Sequence, residues 1–272
     1  MIGVGPRAGT GARLQEGFRE VHTFDSDGVE IAFIDEGPQE ADPVLLIHGF
    51  ASNVATNWIG PGWVETLTAA GYRVIAYDNR GHGRSAKLYA TEDYGAPLMA
   101  EDARRLLDHL SLPSADVVGY SMGARIAAFL ALAHPARARS LVFGGLGLNM
   151  VRGVAGTGPV ARALEATSID EVANPTARTF RAFAEQTGSD LKALAACIRS
   201  ARAPITAEDL ARITCPVLVA VGSDDVIGGS AAALAGLIPG GQAFEIAGRD
   251  HMKAVGDPTF KAAVLSFLTQ RP

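Results

Sequence analysis

The chain has 272 residues, of which 48% are hydrophobic and 19% are charged, and its formal net charge is −5. This apolar content can offset the entropy lost when a chain becomes ordered, so a wholly disordered protein is excluded. The acidic balance argues against a nucleic-acid-binding surface, and two cysteines are too few for a disulfide framework.

The first nineteen residues contain glycine and arginine but lack the apolar core of a signal peptide. No stretch of the chain is apolar for long enough to cross a membrane as a helix. We therefore expect a flexible lead-in over residues 1–19, no membrane segment and a cytoplasmic location.

Strand and helix patterns alternate along the rest of the chain. Alternating residues on both sides of the turn at 26–28 predict a hairpin. Short strands, most of them continuous apolar runs typical of a buried parallel sheet, are predicted at 43–48, 72–78, 116–121, 140–144, 216–222 and 242–246. Apolar residues at helical spacing predict helices over 62–70, 96–110, 122–134, 231–237 and 257–269.

The alternation of predicted strands and helices is interrupted between residues 149 and 211. This segment holds alanine-rich helical stretches broken by glycine and proline, with no pattern of a buried strand. We therefore predict an α/β core formed by residues 1–148 and 212–272, with a mostly parallel central sheet, helices on both faces and a helical cap insertion at 149–211.

The pentapeptide GYSMG at residues 119–123 lies where a buried strand meets an apolar helix. A G-x-S-x-G sequence in this context predicts a tight turn that lifts the Ser121 hydroxyl above the sheet. The turn also places the next backbone N–H at a helix N-terminus, where it can stabilise an oxyanion. Ser121 is therefore our candidate nucleophile.

A serine hydroxyl is a weak nucleophile unless a neighbouring base accepts its proton. Among the six histidines, His251 follows the last predicted strand, and functional groups gather at the carboxyl ends of parallel strands. Two adjacent carboxylates, Asp224 and Asp225, end the strand before it. One of them would orient the His251 ring, giving the chain order serine, aspartate, histidine.

These motifs resemble those of the α/β-hydrolase superfamily over residues 20–270. The resemblance is carried by the sequence HGF at 48–50, by DNRGHGRS at 78–85, by the pentapeptide GYSMG, by G-x-x-D at 222–225 and by the position of His251. It selects Asp225 over Asp224 as the acid. Ala124 departs from the pattern, since many members have a second glycine there, but alanine is also small.

The resemblance implies that the backbone N–H groups of Phe50 and Met122 form an oxyanion hole. It also implies that His48, His82 and Arg80 shape loops and do not react.

Three aromatic residues are candidates for the wall of the substrate pocket. Trp58 lies near the oxyanion loop, and Phe180 and Phe183 lie in the predicted cap. We expect these three aromatic side chains to line the substrate pocket.

The nucleophile narrows the activities that the resemblance allows. Dehalogenases and epoxide hydrolases of the superfamily have aspartate where this chain has Ser121, and carbon–carbon bond hydrolases often have tryptophan where it has Met252. The resemblance to small bacterial carboxylesterases implies a serine esterase for small esters with short to medium acyl chains. It implies no metal or organic cofactor and no nucleic-acid or membrane partner.

Several alternatives remain open at this point. The same three residues serve lactonases, thioesterases, perhydrolases and amidases. The fold also carries non-catalytic ligand receptors and cofactor-independent oxygenases.

Overall fold

The computed structural model describes residues 19–153, 156–200 and 203–270. The predicted lead-in therefore lies outside the described residues except for Arg19.

Eight strands form one sheet in the order β1-β2-β4-β3-β5-β6-β7-β8. Their bounds are β1 His22–Asp25, β2 Glu30–Glu36, β3 Pro43–Ile47, β4 Arg73–Tyr77, β5 Ala115–Tyr120, β6 Ala138–Gly144, β7 Val217–Gly222 and β8 Gln242–Ile246. The hairpin β1–β2 is antiparallel, and β2 is antiparallel to β4. All other pairs are parallel, so the predicted mostly parallel sheet is confirmed.

Ten α-helices accompany the sheet in the described part of the chain. They are α1 Trp63–Ala69, α2 Ala96–His109, α3 Met122–Ala133, α4 Asn149–Arg152, α5 Thr157–Glu165, α6 Pro175–Gln186, α7 Leu191–Arg199, α8 Ala207–Leu210, α9 Ala231–Ala235 and α10 Pro258–Gln270. Short 3-10 turns occur at Thr91–Asp93, Pro135–Arg137, Ile169–Glu171 and Ala254–Gly256, and a π-helical turn at Ala55–Ile59. Over the described ranges, every helix falls short of the length and apolarity needed to cross a membrane.

The core lies on both faces of the sheet. Along β3, Leu45 and Ile47 face one apolar cluster, which includes residues of α2 and α3. Val44 and Leu46 face the other cluster, which includes residues of α1 and α10. Because β3 is covered on both sides, it consists of apolar residues without the alternation of a half-exposed strand.

The chain between β6 and β7 forms helices and turns, with no strand among its described residues. Side chains of α5, α6 and α7 share an apolar cluster with Ala51 and Phe50 of the loop after β3. This cluster holds the helical segment over the carboxyl end of the sheet. That residues 149–211 act as a cap distinct from the core remains a prediction.

Candidate active site

Ser121 lies between β5 and α3 in a strained backbone conformation. Its φ is 54° and its ψ is −112°, a combination that residues other than glycine rarely adopt. Such a conformation costs about 1–3 kcal/mol and persists only where the surroundings impose it. The Ser121 N–H donates to the Gly144 carbonyl at 2.7 Å, which ties the turn to the neighbouring strand.

The two glycines of the pentapeptide are required because backbone atoms approach them closely. A Cβ at Gly119 would lie 2.3 Å from the Gly123 carbonyl oxygen. A Cβ at Gly123 would lie 2.0 Å from the Ile47 carbonyl oxygen. Both distances are shorter than real Cβ contacts allow, so glycine at these positions lets α3 start directly above β3 and β5.

His251 bridges the serine to a carboxylate. Its Nε2 lies 2.9 Å from Ser121 Oγ, and its Nδ1 lies 2.7 Å from Asp225 Oδ2. The other oxygen of Asp225 accepts hydrogen bonds from the backbone N–H groups of Ile227 and Gly228 at 2.8 and 2.9 Å. The carboxylate is therefore fixed from one side and orients the imidazole from the other.

Asp224 points elsewhere. It is exposed to solvent, and its Oδ1 accepts a hydrogen bond from the Ser223 hydroxyl at 2.9 Å. The structure thus brings Asp225, and not its neighbour, to the histidine.

Tyr120 is a residue of the site that sequence reasoning missed. Its hydroxyl donates to the His251 carbonyl oxygen at 2.6 Å, and burial raises the pKa of this phenol well above its usual value. The phenol therefore stays a protonated donor and holds the backbone of the histidine. The two residues are 131 positions apart, and no local signal in the sequence indicates this contact.

The predicted oxyanion donors flank the serine. Met122 is the first residue of α3, so its N–H has no acceptor within the helix. Phe50 follows Gly49, and a Cβ at Gly49 would lie 3.3 Å from Ser121 Cβ. The loop after β3 therefore passes directly beside Ser121 at Gly49, the residue before Phe50.

The buried imidazole of His48 supports this loop. Its Nδ1–H donates to the Gly49 carbonyl at 2.7 Å, and its Nε2 accepts from the Asn79 N–H at 3.0 Å. Complete burial lowers the pKa of His48 to about 4. The ring is therefore neutral near pH 7 and links the loops that follow β3 and β4.

A second buried histidine and an ion pair lie behind His48. His82 Nδ1–H donates to the Arg80 carbonyl at 2.9 Å, its ring centroid is 5.3 Å from that of His48, and burial lowers its pKa to about 3. The Arg80 guanidinium makes two 2.7 Å hydrogen bonds to the Asp102 carboxylate. These contacts are loop-supporting, and none of them reaches Ser121.

Two cavities meet at Ser121. The larger, about 420 Å³, is lined by Ser121, His251, Phe50, Phe180 and Phe183, among others. A second cavity of about 300 Å³ extends on the side of Met122 and Arg125 and shares the walls formed by Ser121, Phe50 and Phe180. Phe180 and Phe183 of the helical segment thus lie where we expected pocket-lining residues.

Trp58 does not line either cavity, contrary to our expectation. Its side chain is completely buried and packs edge-to-face on Trp63, with ring centroids 5.7 Å apart. The π-helical turn directs Trp58 into the core beneath the loop, and its neighbour Asn57 lines the larger cavity instead. Tryptophan is mainly apolar, and the core between the sheet and α1 buries more of it than a pocket wall would.

Within the described ranges, no three histidine, cysteine, aspartate or glutamate side chains are grouped as metal ligands would be.

The comparisons with known proteins agree with this architecture. A family model described as the alpha/beta hydrolase fold matches residues 42–151. A hydrolase from Pseudomonas aeruginosa superimposes with a TM-score of 0.69 at 27% identity, over 91% of this chain and 98% of the other. The chain has the α/β-hydrolase fold. The curated relatives that it matches differ in their activities.

Two of these relatives illustrate the range. The rhodomycin D methylesterase of Streptomyces peucetius is 40% identical over 116 residues, which are 41% of this chain and 38% of the relative. A non-heme chloroperoxidase of Kitasatospora aureofaciens is 40% identical over 100 residues, 36% of this chain and 33% of the relative. The matched region spans about two fifths of the length of the curated relatives.

Proposed function

We propose that this α/β-hydrolase is a serine esterase that cleaves small carboxylic esters through an acyl-enzyme on Ser121. The observation that carries the proposal is the continuous hydrogen-bonded chain from Ser121 Oγ through His251 to Asp225, placed at the wall of an apolar cavity. A nucleophile, its base and the group that orients the base are the parts that acyl transfer needs.

The proposed reaction gives each of these groups one role. His251 Nε2 accepts the Ser121 proton as Oγ bonds to the ester carbonyl carbon, and the negative charge passes to the carbonyl oxygen. The N–H groups of Phe50 and Met122 stabilise this oxyanion, each contributing about 3–4 kcal/mol. The C–O bond to the alcohol then breaks, and His251 returns its proton to the departing oxygen. A water molecule, activated by His251, then attacks the acyl-enzyme in the same way, which releases the carboxylic acid and restores the Ser121 hydroxyl.

The size of the cavity supports short to medium acyl chains. A space of about 420 Å³ lies at the lower end of the range for small-molecule sites, which is roughly 300–1,000 Å³. Its aromatic wall of Phe50, Phe180 and Phe183 suits an apolar acyl group. The name of the methylesterase relative is consistent with ester hydrolysis.

The deciding experiment is turnover of p-nitrophenyl butyrate by the purified protein and by Ser121→Ala. We expect kcat to fall about 10⁴-fold or more in the variant, with an unchanged circular dichroism spectrum. Mass spectrometry after treatment with an organophosphate should locate one covalent adduct on Ser121. Near-normal hydrolysis by Ser121→Ala would contradict the proposal, and no turnover by the wild type would favour a ligand receptor.

A panel of a lactone, a thioester and an amide, matched in acyl chain to the butyrate ester, separates the related activities. We expect the ester to be the fastest substrate. A larger kcat/KM for any other member of the panel would reassign the reaction while leaving the roles of the three residues in place.

A further inference from the structure

The second cavity at Ser121, of about 300 Å³, has a basic wall that the mechanism above does not use. Arg125 and Arg152 are among its lining residues, and the described residues that line it include no aspartate or glutamate. In the chain as a whole, 29 acidic residues outnumber 24 lysines and arginines. A wall with two cations and no carboxylate is therefore a local feature and does not reflect the overall composition.

Arg125 lies close to the nucleophile along α3. Its backbone N–H donates to the Ser121 carbonyl at 3.3 Å, so the two residues are one helical turn apart. Its Nη1 donates to the Met150 carbonyl at 2.7 Å, and its Nη2 donates to the Ala203 carbonyl. Both acceptors are neutral, so these two bonds hold the guanidinium in place without cancelling its charge. The side chain is half-buried, and salt screens a partly buried charge less than an exposed one.

Arg152 adds a second charge to the same wall. It is the last residue of α4 and is exposed to solvent. Charges of one sign that line a cavity with low-dielectric walls focus their field inside it and raise the local concentration of a ligand of opposite charge. The two arginines therefore favour an anion in the second cavity.

The larger cavity is less suited to an anion. Lys253 in its wall lies 3.4 Å from the Asp250 carboxylate. Asp224 and Asp250 line a neighbouring cavity that shares Phe183 and His251 with the larger one. Their carboxylates would repel a further negative charge. Of the two cavities at Ser121, the second one is thus the favoured position for an anionic group.

Resting on the esterase function proposed above, we propose that the second cavity binds a carboxylate of the ester substrate and that Arg125 and Arg152 select for it. The substrate class is esters that carry a second, unesterified carboxylate, such as monoesters of dicarboxylic acids. Arginine suits this ligand because its planar donors match the two carboxylate oxygens. The carboxylate belongs either to the acyl part or to the alcohol part of the ester, and the experiment distinguishes the two.

The test uses two pairs of esters in which a carboxylate is replaced by a carboxamide of the same shape. Monomethyl adipate and methyl adipamate carry this group in the acyl part. γ-Acetoxybutyrate and γ-acetoxybutyramide carry it in the alcohol part. The measured quantity is the kcat/KM of the carboxylate ester divided by that of the carboxamide ester, at low ionic strength. The intrinsic reactivity of the esters cancels when the ratio of a variant is divided by that of the wild type.

The variants separate a local charge from a structural role and from the net charge. Arg125→Gln and Arg152→Gln each remove one charge, whereas Arg125→Lys keeps the charge and disturbs the backbone contacts. The matched control is Arg212→Gln, which changes the net charge by the same amount. Arg212 precedes β7, at the edge of the sheet opposite Ser121, and lines none of the cavities named above. Thermal melting of each variant checks the fold.

In one of the two pairs we expect the ratio to fall about 10-fold in Arg125→Gln, as the loss of a charged hydrogen-bond donor predicts. The exposed Arg152 contributes less, so Arg152→Gln should lower the same ratio about 3-fold. Arg125→Lys should keep most of the ratio, and Arg212→Gln should equal the wild type. The pair that responds identifies the part of the ester that occupies the second cavity.

Ratios that stay unchanged in both pairs, or that fall equally in Arg212→Gln, would overturn the carboxylate site. If Ser121-dependent turnover of p-nitrophenyl butyrate is intact in the same preparations, the esterase function stands in spite of that result. Absence of Ser121-dependent turnover of p-nitrophenyl butyrate and of all four test esters by the wild type would overturn both.

Discussion

Asp225 uses both of its carboxylate oxygens, and this distinguishes it from Asp224. One oxygen faces His251 Nδ1 at 2.7 Å, and the other accepts two backbone N–H groups. The carboxylate is buried and held in one orientation, so it can select the tautomer in which Nε2 faces Ser121. The Asp224 side chain is exposed and accepts a hydrogen bond from the Ser223 hydroxyl.

This difference predicts opposite outcomes for one substitution made at two adjacent positions. Asp225→Asn should lower kcat by about 10⁴-fold, because an amide favours the wrong tautomer of the histidine. Asp224→Asn should change kcat less than about 3-fold, as expected for an exposed surface group. Steady-state kinetics with p-nitrophenyl butyrate measure both values. A larger loss in Asp224→Asn would show that the acid had been assigned one residue away from its true position.

At the scale of elements, the site depends on how closely α3 approaches the sheet. Gly123, in the first turn of α3, lies against the Ile47 carbonyl at the end of β3. The same approach places the Met122 N–H beside the loop that carries Phe50. The packing of one helix on one strand therefore sets the distance between the two expected oxyanion donors.

Gly123→Ala should consequently damage the fold and the site together. The added methyl would lie 2.0 Å from a backbone oxygen, which cannot move like a flexible side chain. We expect the free energy of unfolding to fall by about 3 kcal/mol, at the upper end for overpacked sites. The control is Gly158→Ala in α5, where the nearest atom would be 3.5 Å away and the φ angle is ordinary. That variant should be unchanged or up to about 1 kcal/mol more stable. Urea denaturation measures both, and equal stabilities of the two variants would refute the packing argument.

At the scale of the whole molecule, two neutral histidines are buried behind the site. Burial lowers the pKa of His48 to about 4 and that of His82 to about 3, from an ordinary value of 6.5. Between pH 6.5 and about 4 the unfolded chain therefore binds protons that the native protein excludes. The contribution of these two neutral histidines to stability is complete above pH 6.5 and is lost as the pH falls through this window.

We expect the free energy of unfolding to decrease between pH 6.5 and 4.5 by up to about 1.4 kcal/mol per pH unit for each histidine. Carboxylates with lowered pKa values, such as Asp257, whose pKa is about 2, contribute mainly at lower pH. Urea denaturation of the wild type and of His82→Asn across this range is the measurement. The slope should be smaller in the variant, and equal slopes would exclude His82 as a source of the acid sensitivity.

The cavities are also a property of the whole molecule, because core and helical segment each supply part of the wall. Phe50 comes from the loop after β3, while Phe180 and Phe183 come from α6. For acyl chains longer than about eight carbons we expect kcat/KM to fall, since each further methylene contributes only about 0.8 kcal/mol and only while it can still be buried. A series of p-nitrophenyl esters from C2 to C16 measures this. Faster turnover of C16 than of C4 would indicate a lipase.

Much of the architecture follows from local sequence patterns. β8 has the bounds that the pattern predicted, and α3 ends one residue before the predicted position because Pro135 follows closely. The parallel sheet was predictable because strands covered on both faces must be apolar throughout. The pentapeptide at 119–123 indicated its strained turn, because only two glycines admit the neighbouring backbone.

Other features were decided only when distant parts of the chain came together. Tyr120 contacts the backbone of His251, Asn57 forms part of the cavity wall, and Trp58 turns into the core. None of these directions can be determined from local spacing, because each depends on which side chain the packed core accepts and which one it excludes. By itself the sequence determined the order of the elements and the kinds of reactive groups. The tertiary structure decided their contacts, because a hydrogen bond or a cavity wall exists only between surfaces that folding brings together.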